Sequence, residues 1–267
     1  MNFFSDKVVI ITGSSMGIGK TTARQLLKLG ANVVINARSS EKLAETYNEL
    51  QTISNKLFAV QGDISNYEDC KNIIQKTVDT FGKLDILINN AGNAMLGNVE
   101  EIDIDIFKKV TEVNFLGSVY MTKLAIPYLK QTKGNVLFVS SVAAIHGIPG
   151  YAVYSSTKIA LQAFAQSLRI ELQDYGIAVS IAYVGFTEND PQKTIYDSNG
   201  KIIKMPSRAF IKQQPVETVA KKLLNLIEKR KFKAVFTFLG KINNFIYRIS
   251  PAIIRMVLTN SYKKGVN

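Results

Sequence analysis

Short apolar stretches alternate along the chain with longer stretches in which apolar residues recur at helical spacing. Residues 7–12 (Lys-Val-Val-Ile-Ile-Thr) form a nearly continuous β-branched run, which is typical of a strand buried on both faces of a parallel sheet. Residues 20–29 then have helical character and stop at Gly30. The chain therefore begins with a predicted strand, a glycine-containing turn and a helix.

The same alternation continues and predicts the fold class. Repeated strand–helix units of this length give a parallel, doubly wound sheet that binds ligands at the carboxyl ends of its strands. We therefore expect an α/β fold of the Rossmann type, with about seven parallel strands and helices on both faces. Further strands are predicted at residues 32–36, 57–60, 84–88, 135–139, 177–183 and 234–238, and further helices at 41–51, 66–81, 104–130 and 215–229, with one more around Tyr154.

Composition agrees with a single large domain. The chain has 267 residues, 46% of them hydrophobic and 20% charged, which is enough to bury a substantial core. We expect one domain over residues 1–240, with a substrate lid at about 188–214 and an extension at 241–267. The single cysteine, Cys70, excludes an internal disulfide, and together with the single histidine, His146, it argues against a metal site.

The net charge and the amino-terminal sequence limit the kinds of partner and the cellular compartment that we expect. The net charge of +12 would suit nucleic acid, an anionic membrane or phosphorylated ligands, but no separate nucleic-acid recognition module is evident. No uninterrupted apolar run approaches the roughly 20 residues that span a bilayer. The first residues show no basic segment followed by a long apolar run, so we expect a reducing, cytoplasmic compartment.

The turn after the first strand predicts a phosphate-binding site. Glycines let the backbone approach a pyrophosphate, and the following helix offers free N–H groups at its positive dipole end. A nucleoside-triphosphatase loop is excluded because it would need glycine at position 14, which is serine. We expect dinucleotide contacts from Gly13, Ser15, Met16, Gly17, Ile18 and Gly19.

Residues at the ends of the next strands extend this predicted site. Arg38 follows the second strand without a carboxylate nearby, and arginine there accommodates a 2′-phosphate, which favours NADP over NAD; the alternative is an ordinary surface charge. Asp63, followed by Ile64, either hydrogen-bonds near an adenine amino group or begins a turn. After the fourth strand, Asn90, Ala91 and Gly92 leave space for a cofactor.

Candidate acid–base chemistry follows in the second half. Tyr154 and Lys158 lie four residues apart, on one face of a predicted helix. A free phenol titrates near roughly 10, and an adjacent ammonium favours the phenolate and moves it towards neutral pH. The pair is suited to passing a proton, although a half-buried tyrosine beside a solvated lysine has the same spacing. The fifth strand delivers Ser140 and Ser141 to the same sheet edge as the glycine turn.

In this order and spacing, these residues resemble the short-chain dehydrogenase/reductase family from Lys7 to about Phe238. Each motif is weak alone, but their accidental occurrence in this order is improbable. The matching residues are Thr12-Gly13-x-x-x-Gly17-Ile18-Gly19, Asp63, Asn89-Asn90-Ala91-Gly92, Asn114, Ser141 and Tyr154-x-x-x-Lys158, with the serine thirteen residues before the tyrosine.

The resemblance implies a role for each catalytic position. Tyr154 would exchange a proton with a substrate oxygen while a nicotinamide carbon delivers or takes hydride, and Ser141 would hydrogen-bond that oxygen. Lys158 would lower the Tyr154 pKa and bind the nicotinamide ribose hydroxyls. Asn114 would hold a water in a proton relay, which accounts for a polar residue inside a helix. Gly185 and Thr187 would contact the cofactor after the sixth strand.

Two departures from the family pattern affect these expectations. Val184-Gly185-Phe186-Thr187 lacks the proline that commonly precedes this glycine, which puts the path of the loop over the nicotinamide in doubt. Met16 stands where many NADP-dependent members have a basic residue. The prediction of NADP therefore depends chiefly on Arg38.

Together these features predict an NADP-dependent oxidoreductase that interconverts a carbonyl and a secondary alcohol in the reductive direction. His146 and Phe186 are candidate substrate contacts. The alternative is a non-catalytic NADP-sensing protein on the same fold, against which the complete proton-transfer set argues. Apolar lid residues indicate a fairly apolar substrate, or else they pack the lid onto the domain; they are Ile195, Tyr196, Ile202, Ile203, Met205, Phe210 and Ile211.

The extension beyond Gly240 has a pattern of its own. Apolar residues recur at helical spacing, and Ser250-Pro251 is typical of a helix start. Lys241, Arg248 and Arg255 form a basic series, and no acidic residue follows Glu228. Such a segment is either an interfacial membrane anchor or a docking element for this or a second subunit. The resemblance implies a homodimer or homotetramer through the helices that bear Asn114 and Tyr154.

Overall fold

The computed structural model describes residues 2–188, 190–191, 193–206 and 213–263. Its strands are β1 (Val8–Ile11), β2 (Asn32–Ala37), β3 (Leu57–Gln61), β4 (Ile86–Asn89), β5 (Asn135–Ser141), β6 (Ala178–Val184), β7 (Thr194–Tyr196), β8 (Ile202–Lys204) and β9 (Lys233–Val235). Its α-helices are α1 (Gly17–Lys28), α2 (Ser40–Leu50), α3 (Tyr67–Phe81), α4 (Ile104–Thr111), α5 (Gly117–Thr132), α6 (Ala152–Glu171), α7 (Val216–Glu228), α8 (Phe238–Ile249) and α9 (Pro251–Lys263).

Seven of these strands form one parallel sheet in the order β3-β2-β1-β4-β5-β6-β9. The order reverses between β1 and β4, which is where doubly wound sheets bind their ligands. Helices α1, α2 and α7 cover one face, and α3, α5 and α6 cover the other, each with its own apolar cluster. This architecture confirms the predicted Rossmann-type fold.

The strands are continuous apolar runs because both of their faces are covered. Val9, Ile10 and Ile11 have no exposed surface, since alternate side chains point into the two opposite clusters. Each helix adds one apolar stripe, as with Cys70, Ile73 and Ile74 on α3. Burial of this kind stabilises the fold by about 25 cal/mol per Å² of apolar surface.

The predicted helix at 104–130 is confirmed, with one wider turn in its middle. Helix α4 passes into a π-helical turn at Glu112–Leu116 and then into α5. Asn114 lies in that turn and is completely buried. Single π turns inside α-helices frequently occur at functional sites.

The seventh strand of the sheet is shorter than predicted. The expected strand at 234–238 ends at Val235, so its second half is wrong. The side chain of Thr237 accepts a hydrogen bond from the Gly240 N–H at 3.1 Å, which is an N-cap, and α8 begins at Phe238. The boundary expected at Gly240 therefore falls inside α8. The predicted helix start at Ser250-Pro251 is confirmed by α9.

The described part of the predicted lid, about residues 188–214, contains an antiparallel hairpin of β7 and β8 that the apolar pattern did not predict. Its buried Tyr196 packs with Met95 and Val153, and Ile195 is also buried. These two side chains therefore fasten the lid to the domain, while Ile202 is exposed. Phe210 and Ile211 lie outside the described residues.

None of the described helices is long and apolar enough to cross a membrane. In the same part of the chain, His, Cys, Asp and Glu side chains form no group of three or more that is suited to holding a metal ion.

A buried carboxylate joins strands at the amino edge of the sheet. Asp85 accepts hydrogen bonds from the Val8 N–H at 2.9 Å and from Lys7 Nζ at 2.9 Å, and it pairs with Lys83 Nζ at 3.0 Å. Burial by itself raises the pKa of Asp85, but these three donors outweigh it and hold the pKa below its usual range. The charged form is therefore the one that stabilises the fold.

We expect Asp85→Asn to lower the free energy of unfolding by ~2 kcal/mol, because Lys7 and Lys83 lose their shared partner while both remain partly hydrated. Urea titration at pH 7 measures this. Because the folded-state pKa is depressed, the contribution is present above the ordinary pKa of about 4 and disappears as pH falls through the folded value, so the two proteins converge in acid. The exposed Asp79→Asn should change little; an equal loss there would contradict the assignment.

Candidate active site

The glycine turn lies at the point where the strand order reverses. Thr12 Oγ1 accepts hydrogen bonds from the Asn90 N–H at 3.0 Å and the Ala91 N–H at 3.1 Å. Asn90 Nδ2 donates in return to the carbonyls of Thr12 and Gly13, at 3.0 and 2.9 Å. The ends of β1 and β4 are therefore fixed to each other, and the predicted cofactor residues Gly13, Asn90 and Ala91 lie together.

Glycine is required at two positions of this turn. Gly13 has φ +61°, and an added Cβ would lie 2.7 Å from Ala91 Cα. A Cβ at Gly19 would lie 2.5 Å from the Gly13 carbonyl oxygen. A Cβ atom is essentially never this close to another atom, so a side chain at Gly13 would push the turn away from the end of β4, and one at Gly19 would push α1 away from the turn. Thr46 Oγ1 donates to the Ser15 carbonyl at 2.9 Å and attaches the turn to α2.

The beginning of α1 already contacts an anionic group. The Gly17 N–H donates to Asp190 Oδ2 of the lid at 3.3 Å, so a carboxylate oxygen stands where a phosphate oxygen would bind. No acidic residue lies in the first turn of α1 to oppose an anion. Met16 is the N-cap residue, and Ile18 packs its side chain against the core. The turn thus fits the pyrophosphate of a dinucleotide.

A cavity of about 120 Å³ opens beside the turn. Its lining has charges of both signs, and it consists of Ser15, Met16, Lys20, Lys42, Glu45, Thr46, Glu49 and Asp190. Arg38 is exposed at the end of β2, and no described residue hydrogen-bonds to its guanidinium group. Lys42 was missed at the sequence level because only the packing of α2 against the turn brings it near this cavity.

The third strand contributes a turn whose side chains are already engaged. Asp63 Oδ1 accepts hydrogen bonds from the N–H and hydroxyl of Ser65, at 3.0 and 2.7 Å. Ile64 is buried against Gly117, where an added Cβ would lie 2.7 Å from Ile64 Cδ1. Of the two interpretations of Asp63, the turn is therefore the one visible in these contacts.

Asn114 connects the π turn to the end of β4 and to α6. Its Oδ1 accepts from the Asn93 N–H at 2.7 Å, and its Nδ2 donates to the Asn93 carbonyl at 2.8 Å and to Thr157 Oγ1 at 3.1 Å. Sequence reasoning missed Asn93 and Thr157. In the sequence, Asn93 is marked only by directly following Asn89-Asn90-Ala91-Gly92, and Thr157 only by its position three residues after Tyr154.

Lys158 and Asn114 meet at Gly92. A Cβ added there would lie 3.2 Å from Asn114 Oδ1 and 3.3 Å from Lys158 Nζ. A side chain there would crowd both polar groups, which would have to move by a few tenths of an ångström. The structure therefore brings the predicted cofactor residue Gly92 together with two of the four predicted catalytic residues.

The Lys158 ammonium is buried beside the Tyr154 ring. Its Nζ donates to the Val139 carbonyl at 3.1 Å and lies 5.8 Å from the ring centroid of Tyr154. Burial, assisted by repulsion from Lys193, lowers the pKa of Lys158 from 10.5 to about 8. The alternative interpretation assumes a solvated lysine four residues after the tyrosine, whereas Lys158 is buried.

The end of β5 places the two serines differently. Ser140 is buried, and its Oγ donates to the Lys158 carbonyl at 3.3 Å. Ser141, the last residue of β5, is partly exposed, and its Oγ accepts from the Ala143 N–H at 3.1 Å. Its hydroxyl proton is not used in that bond, so Ser141 retains a donor at the carboxyl edge.

The remaining predicted residues lie where the C-terminal helices meet the sheet. Thr187 is buried, and its Oγ1 donates to the Gly185 carbonyl at 3.1 Å. Gly185 lies against Thr237, and Phe186 is partly exposed. His146 is buried against α8, where its ring nitrogens hydrogen-bond to the Gly147 carbonyl and to Asn243. The structure thus places His146 in an internal contact between the loop after β5 and α8.

Comparisons with known proteins agree with this arrangement. A family model described as short chain dehydrogenase matches residues 7–209. An 11-beta-hydroxysteroid dehydrogenase-like protein of Arabidopsis thaliana is 40% identical over 210 residues, 76% of this chain and 67% of that protein. A 3-dehydrosphinganine reductase of Danio rerio is 35% identical over 225 residues, 80% of this chain and 67% of that protein.

A solved structure shows the same likeness. It is an alcohol dehydrogenase from the archaeon Thermococcus sibiricus complexed with 5-hydroxy-NADP, with a TM-score of 0.76 and 27% sequence identity. The match covers 87% of this chain and 96% of that one. The chain therefore belongs to the short-chain dehydrogenase/reductase family, whose members use NAD or NADP, and it is a dehydrogenase/reductase enzyme.

Proposed function

We propose that the protein is an NADP-dependent carbonyl reductase that converts a ketone on a fairly apolar skeleton into a secondary alcohol. The observation that supports this most directly is the buried Lys158 ammonium, placed between the Tyr154 ring and the small residue Gly92 at the carboxyl edge of the sheet. A general acid and a cofactor contact are needed at the same place, and Lys158 is positioned to assist Tyr154 as that acid and to contact the cofactor.

The residues divide the work by their positions. The turn of Gly13, Gly17 and Gly19 would hold the pyrophosphate, and Gly92 leaves space beside Lys158 for the nicotinamide ribose. When bound, the dinucleotide supplies or accepts hydride at its nicotinamide. The Tyr154 hydroxyl would give its proton to the substrate oxygen, and Ser141 would donate a hydrogen bond to that oxygen as negative charge develops.

Lys158 and Asn114 would support the proton transfer by Tyr154. The Lys158 ammonium favours the phenolate form and so lowers the cost of proton donation. Asn114 fixes Asn93 and Thr157, and Thr157 Oγ1 donates to the Tyr154 carbonyl at 2.8 Å. Asn114 would thus be a positioning residue for the helix turn that bears Tyr154, besides the water-holding role that the family resemblance implies.

Two observations support an apolar substrate class. The names of two relatives refer to a hydroxysteroid and to a dehydrosphinganine, which are oxygen-bearing carbon skeletons. Phe186 is partly exposed next to Gly185 and is our candidate for an apolar substrate contact. We also propose that Asn114-bearing and Tyr154-bearing helices form the contact of a homodimer or homotetramer, as the family resemblance implies.

The function is tested by following NADPH oxidation with a panel of ketones that differ in size and polarity. We expect turnover to increase from small polar ketones to large apolar ones, because apolar surface leaves water on binding. Failure of the protein to oxidise NADPH with any ketone, while alcohols are oxidised with NADP, would contradict the reductive direction.

Arg38→Gln should weaken NADPH binding roughly 10- to 100-fold and leave NADH binding unchanged, since a charge-assisted hydrogen bond to the 2′-phosphate contributes about 1.5–3 kcal/mol. Fluorescence titration of both cofactors measures this. Arg255→Gln, an exposed arginine on α9, is the matched control and should bind both cofactors as the wild type does. Tighter binding of NADH than NADPH by the wild type would refute the preference.

A further inference from the structure

Helix α8 turns polar side chains towards the rest of the protein. Asn243 hydrogen-bonds to His146 Nε2, and the Asn244 Oδ1 accepts from Lys233 Nζ at 3.4 Å. The Tyr247 ring lies 5.4 Å from the His146 ring. Gly240 is buried, and an added Cβ would lie 2.8 Å from Val142. The inner face of α8 is therefore made of amides, a phenol and a glycine.

The opposite face of α8 is apolar and exposed. Phe238, Ile242, Phe245 and Ile249 follow each other at spacings of four, three and four, which places them on one side of the helix. Their exposed fractions are 76%, 39%, 64% and 69%. We call these four residues the outer stripe. A surface helix of a globular protein normally does the reverse and buries its apolar stripe, so this helix is inverted.

Helix α9 adds to this apolar surface. Its inner side is fixed by Ile254, which is buried, and by Tyr262, whose hydroxyl donates to Asn98 Oδ1 at 2.8 Å. Ile253, Met256 and Val257 are exposed. Both helices are thus attached to the domain through one side and leave large apolar side chains on another.

The charged side chains of α8 and α9 all have one sign. Lys241, Arg248 and Arg255 are exposed, and no acidic residue occurs anywhere in residues 229–267. A second copy of the chain on this surface would set the same cations against each other, because a two-fold contact pairs a patch with itself. A partner with an apolar interior and a negatively charged surface would match both the apolar stripe and the cations.

We propose that the outer stripe and the exposed apolar residues of α9 lie in the surface of an anionic lipid bilayer. The helices would lie in the plane of the interface, with apolar side chains among the acyl chains and the cations at the headgroups. This is contact with one leaflet, in agreement with the absence of a membrane-spanning helix among the described residues.

The position of α8 and α9 gives this contact a consequence for the enzyme. They touch the loops that follow three neighbouring strands: Asn98 after β4, Val142 and His146 after β5, and Gly185 after β6. These loops surround the carboxyl edge where Ser141 lies. Resting on the proposed function, we infer that the substrate is a lipid-soluble ketone taken up from the bilayer, next to the site that reduces it.

Vesicle flotation of the full chain tests the docking surface. With vesicles of equal parts phosphatidylcholine and phosphatidylserine, we expect the wild type to float, and Ile249→Ser to bind about tenfold more weakly, as expected for removing one large aliphatic side chain from the interface. Ile170→Ser is the matched control, because Ile170 is 76% exposed on α6, away from the outer stripe. Arg248→Gln should lose several-fold in binding, and the exposed Lys123→Gln on α5 should not.

Three results would overturn the proposal. The first is that the wild type does not bind vesicles, and the second is that Ile249→Ser and Ile170→Ser float equally. The third is that the protein does not bind vesicles and Ile249→Ser halves its mass in solution, which would identify a second copy as the occupant.

Measurements of NADPH oxidation distinguish failure of this proposal from failure of the proposed function. Ile249→Ser should retain wild-type turnover of cyclohexanone in solution and lose turnover of a long-chain methyl ketone in vesicles; absence of all turnover would refute the function and leave the flotation result standing.

Discussion

Tyr154→Phe is expected to lower kcat for ketone reduction about 10³-fold, the middle of the range for loss of a positioned general acid. The substitution removes one oxygen atom and keeps the ring that lies beside Lys158. NADPH affinity should stay close to that of the wild type, because the glycine turn and Arg38 are unaffected. Steady-state kinetics and cofactor titration on the same preparations measure the two quantities.

Tyr151→Phe is the matched control, since Tyr151 precedes the same helix but has no lysine four residues later. It should leave kcat roughly unchanged. Full activity of Tyr154→Phe would show that the proton comes from another group and that the mechanism is wrong. A parallel loss of NADPH binding would instead indicate that the phenol supports the cofactor site.

Lys158→Met is expected to lower kcat by about 10²–10³-fold and to change the pH profile. In the wild type the ammonium is present below pH 8 and lost above it, because the pKa of Lys158 is about 8. Activity in the reductive direction should therefore fall as pH rises through this region. In the variant the tyrosine has no cation beside it, and the falling limb should move up towards roughly pH 10, the pKa of an ordinary phenol.

The same variant should be more stable than the wild type when cofactor is absent. The folded-state pKa of about 8 lies below the ordinary 10.5, so keeping the buried ammonium charged at pH 7 costs ~3 kcal/mol. Losing the hydrogen bond to the Val139 carbonyl offsets about 1 kcal/mol of that gain, which leaves about 2 kcal/mol.

The pH dependence of stability checks the sign of this effect. Between pH 8 and 10.5 the unfolded wild type binds more protons than the folded one, so wild-type stability rises with pH and approaches that of the variant. Urea titrations at pH 7 and pH 10 measure it. Lys123→Met, on the exposed side of α5, is the control and should show neither effect. A destabilised Lys158→Met at pH 7 would mean that the ammonium has an anionic partner in the folded protein.

Much of the fold was predictable because burial on both faces leaves a simple trace in the sequence. Val9, Ile10 and Ile11 need apolar partners on two sides, so β1 is a continuous apolar run. The helix that contains Asn114 was predicted to its ends for a similar reason, since its apolar residues keep helical spacing. Its π turn was not predicted, because one wide turn barely alters that spacing.

The short elements near the lid and the C-terminus were not predictable in the same way. Strand β7 is only Thr194–Tyr196, and its hairpin forms because Tyr196 packs on Met95. Such a contact is determined by the fold and not by local sequence. The β-branched run around Val235 favours a longer strand, but a single hydrogen bond to Thr237 starts α8 instead.

Some residues of the candidate site could be predicted from the sequence, and others could not. Gly13, Gly19 and Gly92 could be identified from sequence because each belongs to a glycine-containing motif at the end of a predicted strand. In the structure an added Cβ would collide with a neighbour at Gly13 and Gly19 and would crowd two polar groups at Gly92. The orientation of the His146 side chain could not be predicted, since it depends on Asn243, 97 residues away. Asp190 at the start of α1 likewise depends on how the lid folds back.

The π turn at Glu112–Leu116 has a consequence for attempts to alter this enzyme by shortening it. The turn holds one residue more than an α-helical turn, so it acts as an insertion that the helix has absorbed. Deleting one residue there would restore α-helical geometry and leave α5 in nearly its present phase relative to α4, because a π turn covers about the same rotation as an α turn with one residue fewer. Met121 and Ala125 would then stay on the sheet, and the change would fall on the turn itself, where Asn114 bonds to Asn93. The surplus residue therefore serves the candidate catalytic edge and not the core.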